Sequence, residues 1–250
     1  MKKYLSGYFT YKTDIGRVRM TNEDRALALT NSKGYVLLLV CDGMGGQSKG
    51  DLAASLASNF IAEEFRNKTS GFFSRGLATH WLKSTIRKAN TLVFNESCSK
   101  EEYQGMGTTL TAILVAYNYI VVAQVGDSRA YILKDNELKQ ITEDQTYVGY
   151  LLRTGQITAD EAMVHPKRHV LLNALGIYPS VNIDINSYSY GRERIVVCSD
   201  GLYNNIGFKD LENVIRNNDS VELKATQLVR IANANGGSDN IAIVLWEANE

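Results

Sequence analysis

Val36-Leu37-Leu38-Leu39-Val40-Cys41-Asp42-Gly43 is an apolar run that ends in an aspartate and a glycine, and Ile195-Val196-Val197-Cys198-Ser199-Asp200-Gly201 follows the same plan. An uninterrupted apolar run of this length reads as a strand covered on both faces. Each strand would deliver a carboxylate at its C-terminal end. Between and around them the period changes. Leu52, Leu56 and Phe60, beside Ala53, Ala57 and Ile61, give an amphipathic helix over Gly50 to Asn67. After a break at Gly71, Leu77, Trp81, Leu82, Ile86, Ala89 and Val93 give a second helix, so a packed helix pair is expected. Thr108 to Ala116, Tyr119 to Val125 and Ala130 to Lys134 are rich in Val, Ile, Thr and Tyr, with turn residues at Tyr117-Asn118 and Lys134 to Glu137. They read as an antiparallel meander. Further strands are expected at Val181 to Ile185, Arg194 to Cys198 and Ile241 to Trp246, and a further helix over Val221 to Ala234. Grouped strands and grouped helices make an α+β fold.

The chain has 250 residues, with 27 Lys+Arg against 27 Asp+Glu. That balance gives no excess charge for coating nucleic acid. At 44% hydrophobic residues the chain is not a disordered segment. The longest apolar run, Tyr35 to Cys41, is far short of the ~20 residues of a membrane span. Met1 to Gly7 has a basic start with no apolar run behind it, unlike a signal peptide. Cys41, Cys98 and Cys198 form neither a disulfide framework nor a zinc spacing. A reducing, cytoplasmic setting without membrane or nucleic-acid partners is therefore expected. The only two prolines, Pro166 and Pro179, fall in one irregular stretch. No proline-rich linker divides the rest, so residues 1–250 are expected to form one domain. Within it, Thr158-Ala159-Asp160-Glu161 has the form of a capping box, and His165-Pro166 should end the short helix it opens.

Five aspartates flank apolar strands: Asp24, Asp42, Asp127, Asp200 and Asp239. An isolated Asp-Gly is more often a turn than a ligand. If the strand ends meet, however, the carboxylates would repel unless a cation joined them. Hard oxygen donors without a Cys/His set favour Mg²⁺ or Mn²⁺ over zinc. A Cys-x5-Arg phosphate cradle is ruled out, because Gln47, Gln104 and Asn204 stand where the arginine would be. His80, His165 and His169 are read as structural or exposed. The glycines of Gly43 to Gly50 lack the Gly-Lys-Ser/Thr order of a nucleotide-binding P-loop.

Seven segments in order make the reading specific. They are Gly16 to Asp24, Cys41 to Gly46, Gly105 to Thr109, Val125 to Tyr131, Leu172 to Gly176, Cys198 to Leu202 and Gly236 to Asn240. Together they resemble the metal-dependent Ser/Thr protein phosphatases of the PPM (type 2C) family, in their single-domain bacterial form. The resemblance implies a central β-sandwich of two mainly antiparallel sheets flanked by pairs of helices. It implies a phosphoserine/phosphothreonine phosphatase in which a hydroxide bridging two Mn²⁺ or Mg²⁺ ions attacks phosphorus. Carried over by position, Asp42 would bridge the metals and the Gly43 carbonyl would hold one. Asp200 and Asp239 would bind the first metal. Glu23 would act through water, and Asp24 would help hold the cluster. Asp127, with Asp200, would hold a third, weaker metal. Arg19 matches the phosphate-binding arginine, whose planar fork a lysine could not reproduce. Gly43, Gly45 and Gly46 would bend the backbone under the metals. Residues from about 145 to 180 match the family's variable flap. The implied partners are phosphorylated proteins and an opposing Ser/Thr protein kinase, with the phosphatase itself a monomer. The sequence departs from the family pattern in several places: Met44 stands where some members carry a histidine, Gln47 replaces a frequent histidine, and Asp144-Gln145-Thr146 replaces a frequent Asp-His-Ser.

Overall fold

The computed structural model describes residues 5–45 and 49–249. Gly46 and Gln47, and the basic start Met1 to Tyr4, lie outside the described residues. In chain order the strands are β1 (Gly7–Asp14), β2 (Asp24–Thr30), β3 (Val36–Met44), β4 (Gly107–Thr108), β5 (Leu110–Val115), β6 (Tyr119–Val125), β7 (Arg129–Lys134), β8 (Glu137–Gln140), β9 (Asp184–Ser189), β10 (Arg194–Cys198) and β11 (Ile241–Ala248). The helices are α1 (Lys49–Arg66), α2 (Arg75–Ser97), α3 (Tyr147–Arg153), α4 (Ala159–Val164), α5 (Asp200–Tyr203), α6 (Phe208–Arg216) and α7 (Val221–Ala234). One sheet runs β1-β11-β10-β7-β8 and the other β2-β3-β5-β6-β9, with β4 pairing β3. Every strand pairing among the described residues is antiparallel.

Alternation along the strands builds three apolar layers. On β3, Leu37, Leu39 and Cys41 face α1 and α2, with Ile61, Phe65, Leu82, Ile86 and Val93. Val36, Leu38 and Val40 point the other way, onto Ile195, Val197, Ala242, Val244 and Trp246 of the second sheet. That sheet turns Val196, Cys198, Ile241, Ile243 and Leu245 to α5, α6 and α7. The continuous apolar run of β3 is thus explained: it lies in a helix–sheet–sheet–helix stack and is covered twice. Each such side chain contributes about 1.5–3 kcal/mol on burial. The α+β sandwich read from the sequence is the observed architecture.

Several local expectations are corrected. The meander does not continue through β7. Strands β5 and β6 lie in one sheet, β7 and β8 in the other. The chain crosses at Gly126, whose φ of +96° turns it out of β6. A β-carbon there would stand 2.6 Å from Thr109 Cγ2. The strand expected over Val181 to Ile185 begins only at Asp184. Ile183 is nevertheless buried, and Val181 and Ile185 pack beside it, which gives the alternation. Leu77 is exposed, and Ala78 takes its place on the buried face of α2. The hairpin turn at Asp135-Asn136 is as expected, with φ of 51° and 66°. The capping box is present in both directions between Thr158 and Glu161, and α4 stops before His165. Among the described residues no helix is long and apolar enough to cross a membrane.

Candidate active site

The sheet register brings the first two carboxylates face to face. Asp24 at the start of β2 pairs with Asp42 near the end of β3. By alternation Asp24 shares a face with Ala26 and Ala28, and Asp42 with Val36, Leu38 and Val40, so both stand on the side of the second sheet. From that opposite sheet, Ser199 closes the gap. Its hydroxyl donates to Asp24 Oδ2 at 2.6 Å and accepts from the Ala242 N–H at 2.8 Å. One buried hydroxyl therefore ties the carboxylate of one sheet to the backbone of the other. Asp200 follows at once as the first residue of α5, and Asn204 Nδ2 donates to its Oδ2 at 3.2 Å.

The backbone of Asp42 is held on both sides. Its N–H donates to Thr109 Oγ1 at 3.0 Å, and its carbonyl accepts from the Thr109 N–H at 2.8 Å and the Thr108 hydroxyl at 3.0 Å. Thr109 Oγ1 also meets Ser128 Oγ at 2.9 Å, and Thr111 Oγ1 donates to the Ser128 carbonyl at 2.7 Å. These hydroxyls link Asp42 to the segment carrying Asp127. Gly43 lies inside β3, so it does not bend the chain as expected. It permits close approach instead: a β-carbon there would stand 2.3 Å from the Gly50 carbonyl oxygen and 2.7 Å from that of Glu23. The sharp backbone conformation belongs to Gly45, with φ of +134°.

Asp239 and Arg19 form an ion pair at 2.7 Å. Arg19 lies between β1 and β2, not on a strand, and its side chain is 55% exposed. Asn240 secures this connection. Its Nδ2 donates to the Ile15 and Thr21 carbonyls at 2.9 and 2.8 Å, while its Oδ1 accepts from the Glu23 N–H at 2.9 Å. The segment bearing Arg19 and Glu23 is thereby fixed to the start of β11.

Burial raises Asp24, Asp42, Asp127 and Asp200 above the usual carboxylate range, and neighbouring carboxylates add to it. Asp24 is pushed up to about 7, with Asp200 and Asp239 contributing and the Ser199 hydroxyl opposing. Asp127 rises to about 8 and Asp200 to about 6. Asp42 is held well above its ordinary value by burial and by Asp24, Asp200, Asp127 and Asp239. The five carboxylates thus feel one another, and their all-oxygen donor chemistry fits a hard divalent cation. Among the described residues, no three His, Cys, Asp or Glu side chains are already gathered as a ready ligand set. Ionised carboxylates repel, and Asp239 is turned to Arg19.

A cavity of about 1050 Å³ joins this floor to a second wall. Arg19, Glu23, Asp42, Gly43, Asp127, Asp200 and Asp239 border it, whereas Asp24 lies beneath, buried. The segment with α3 and α4 supplies Val148, Leu152, Ala162, Met163 and Leu171, together with Arg168 and His169. His165 is half-buried and packs against Tyr147, so of the three histidines it is His169 that borders the cavity.

Two groups lie outside the sequence reading. Arg129 grips Asp144 through Nε and Nη2, at 3.0 and 2.7 Å, and its guanidinium lies 3.6 Å from the Tyr203 ring centroid. Tyr203 in turn donates its hydroxyl to the Asp127 carbonyl at 3.2 Å. Burial pushes that phenol well above its ordinary value, so it remains a donor. Arg129 stands in a quoted motif without a role. Its partners at 144 and 203 have no local sequence signal. Asn240, beside Asp239, likewise carries no assignment from the sequence.

The profile of the family described as Protein phosphatase 2C matches residues 17–245. The serine/threonine phosphatase stp of Listeria welshimeri is 36% identical over 240 residues, covering 96% of this chain and 95% of that protein. The crystal structure of the serine/threonine phosphatase Stp1 from Staphylococcus aureus superposes with a TM-score of 0.92 at 29% identity, covering 100% of this chain and 99% of the other. The catalytic domain of the serine/threonine protein phosphatase PstP, in complex with two manganese ions, gives a TM-score of 0.86 at 30% identity, covering 98% and 100%.

Proposed function

The chain belongs to the protein phosphatase 2C family and is a protein serine/threonine phosphatase, and we propose that the acidic floor of its cavity is a two-cation centre at which phosphoserine and phosphothreonine are hydrolysed. The observation that carries this reading is the convergence of carboxylates from both sheets on one cavity floor at one end of the sandwich. Asp42 would bridge two Mn²⁺ or Mg²⁺ ions, with Asp200 and Asp239 on one and the Gly43 carbonyl on the other. Glu23 would act through water, Asp24 would support the cluster from beneath, and Asp127 with Asp200 would hold a third ion. When bound, the pair supplies an attacking water acidic enough to work at neutral pH and charge that balances the phosphoryl oxygens.

The chain's own residues do the rest. Asp239 is held by Arg19 at 2.7 Å. Asp239 would help hold a bound cation, and the planar Arg19 guanidinium would grip two phosphate oxygens at the cavity mouth. Thr108, Thr109 and Ser199 keep Asp42 and Asp24 in place from below. The apolar wall of Val148, Leu152 and Met163 offers contact to residues beside the phosphorylated side chain, which suits protein substrates. The chain would act as a single-domain monomer in the cytoplasm, opposing a Ser/Thr protein kinase.

The test is release of phosphate from a phosphothreonine peptide in Mn²⁺, with and without chelator. Activity should vanish in chelator and return on adding Mn²⁺. Undiminished hydrolysis in chelator would overturn the reading.

A further inference from the structure

Gln145 stands where the flap leaves the sandwich, and its bonds run to three places at once. Its side-chain Oε1 accepts from the Gly126 N–H at 2.9 Å and from Asn173 Nδ2 at 2.7 Å. Its Nε2 donates to Asp184 Oδ2 at 2.7 Å. Its backbone N–H donates to the Gly126 carbonyl at 3.0 Å, and its carbonyl accepts from the Leu172 N–H at 2.8 Å. Gly126 is the crossover glycine directly before Asp127. Leu172 and Asn173 are where the flap returns. Asn173 Nδ2 also reaches the Asn182 carbonyl at 2.7 Å. Thr146 and Leu171 form a bridge just beyond, with the Tyr147 N–H on the Val170 carbonyl at 2.8 Å.

We propose that Gln145 is a positioning residue that fastens both ends of the flap to the peptide preceding Asp127, so that the flap wall and that carboxylate are set together. The proposal rests on the phosphatase reading only for its kinetic consequence. The geometry requires an amide. The oxygen serves two donors while the nitrogen serves a carboxylate, and an amide supplies both functions. A carboxylate at 145 would keep the acceptor, lose the donor and face Asp184. An imidazole has one acceptor nitrogen and one donor nitrogen in its neutral form. A histidine at this position would therefore leave one of the two oxygen-bound donors unmatched. The amide found here makes a tighter junction.

The test is a polarity swap, read first by amide hydrogen exchange at Gly126, Leu172 and residues 146–171, then by KM and kcat on a phosphothreonine peptide in Mn²⁺. Gln145→Glu should speed exchange at Gly126 and Leu172 about tenfold, the size expected for losing a hydrogen bond to a charged group. It should also raise KM for the peptide. Asp184→Asn alone keeps an acceptor oxygen and should stay within about twofold of the parent chain. Combining the two should restore slow exchange, because the amide placed at 184 can donate to the carboxylate placed at 145. Gln145→Met removes the polarity without adding charge. It should speed exchange at the same two amides, and it carries the test if the glutamate variant folds poorly. Unchanged exchange in Gln145→Glu and Gln145→Met, or no recovery in the double variant, would overturn the proposal. Exchange needs no turnover, so it fails or holds separately from the phosphatase reading.

Discussion

The floor and the flap wall of the cavity are built by opposite means. The floor is made of carboxylates that burial disfavours, held by bonds between segments far apart in sequence: Ser199 on Asp24, Thr109 on Asp42, Asn240 on Glu23. The wall is made of apolar side chains left open to solvent, with Met163 67% exposed and Leu152 44%. It is carried on two short helices whose caps are local, Thr146 on Gly149 and Thr158 on Glu161. A floor of this kind suits chemistry, which needs fixed geometry. A wall of this kind suits selection among substrates, which needs accessible apolar surface.

The largest effect that separates the two regions is expected from Asp42→Asn. Losing several kcal/mol of charge stabilisation in the transition state corresponds to roughly 10³-fold in kcat. Steady-state hydrolysis of a phosphopeptide in Mn²⁺ checks this, and a loss below tenfold would remove Asp42 from the centre of the chemistry. Next comes Ser199→Ala, which strands a buried carboxylate oxygen and the Ala242 N–H. Urea denaturation should show a loss of about 1–3 kcal/mol. No loss would mean that the two sheets are not joined through this hydroxyl.

On the wall, Met163→Asp should raise KM for a phosphopeptide about tenfold, since one apolar contact is worth about 1–3 kcal/mol. The rise for a small aryl phosphate should be much less. Equal rises for both would dissolve the distinction between floor and wall. The last effect is on pH dependence. In the folded chain burial raises Asp200, Asp24 and Asp127 to about 6, 7 and 8, against about 3.9 in an unfolded chain. The folded state then binds more protons, so stability falls as pH rises from about 4 to 8. Thermal melting of chelator-treated protein should show a lower Tm at pH 8 than at pH 5.5, and excess Mn²⁺ should narrow the gap. A higher Tm at pH 8 without metal would contradict the burial of these groups.

The floor is more legible in the sequence than the wall. Apolar runs covered on two faces leave a strong signal, and each floor aspartate lies within two residues of a strand. The crossover at Gly126 is hidden because β6 and β7 look alike whether or not they share a sheet. The start of β9 is misplaced by periodicity because Ile183 is buried by the helix layer before the strand begins. Helix α6 is absent from the sequence reading, although Leu211, Val214 and Ile215 are buried at helical spacing. Arg129, Tyr203, Asn240 and Gln145 gain their roles only in the fold, because each acts on a residue distant in the chain. Composition and periodicity carry no record of such pairings. The capping box at Thr158 is legible for the converse reason, since both its bonds span three residues.

The most direct test of the two-cation floor is anomalous diffraction from crystals grown in Mn²⁺. Two peaks are expected on the acidic floor, about 3.5–4 Å apart, bridged by Asp42, with Asp239 moved from Arg19 onto one of them. Peaks elsewhere, or none on the floor with Asp239 still paired to Arg19, would contradict it.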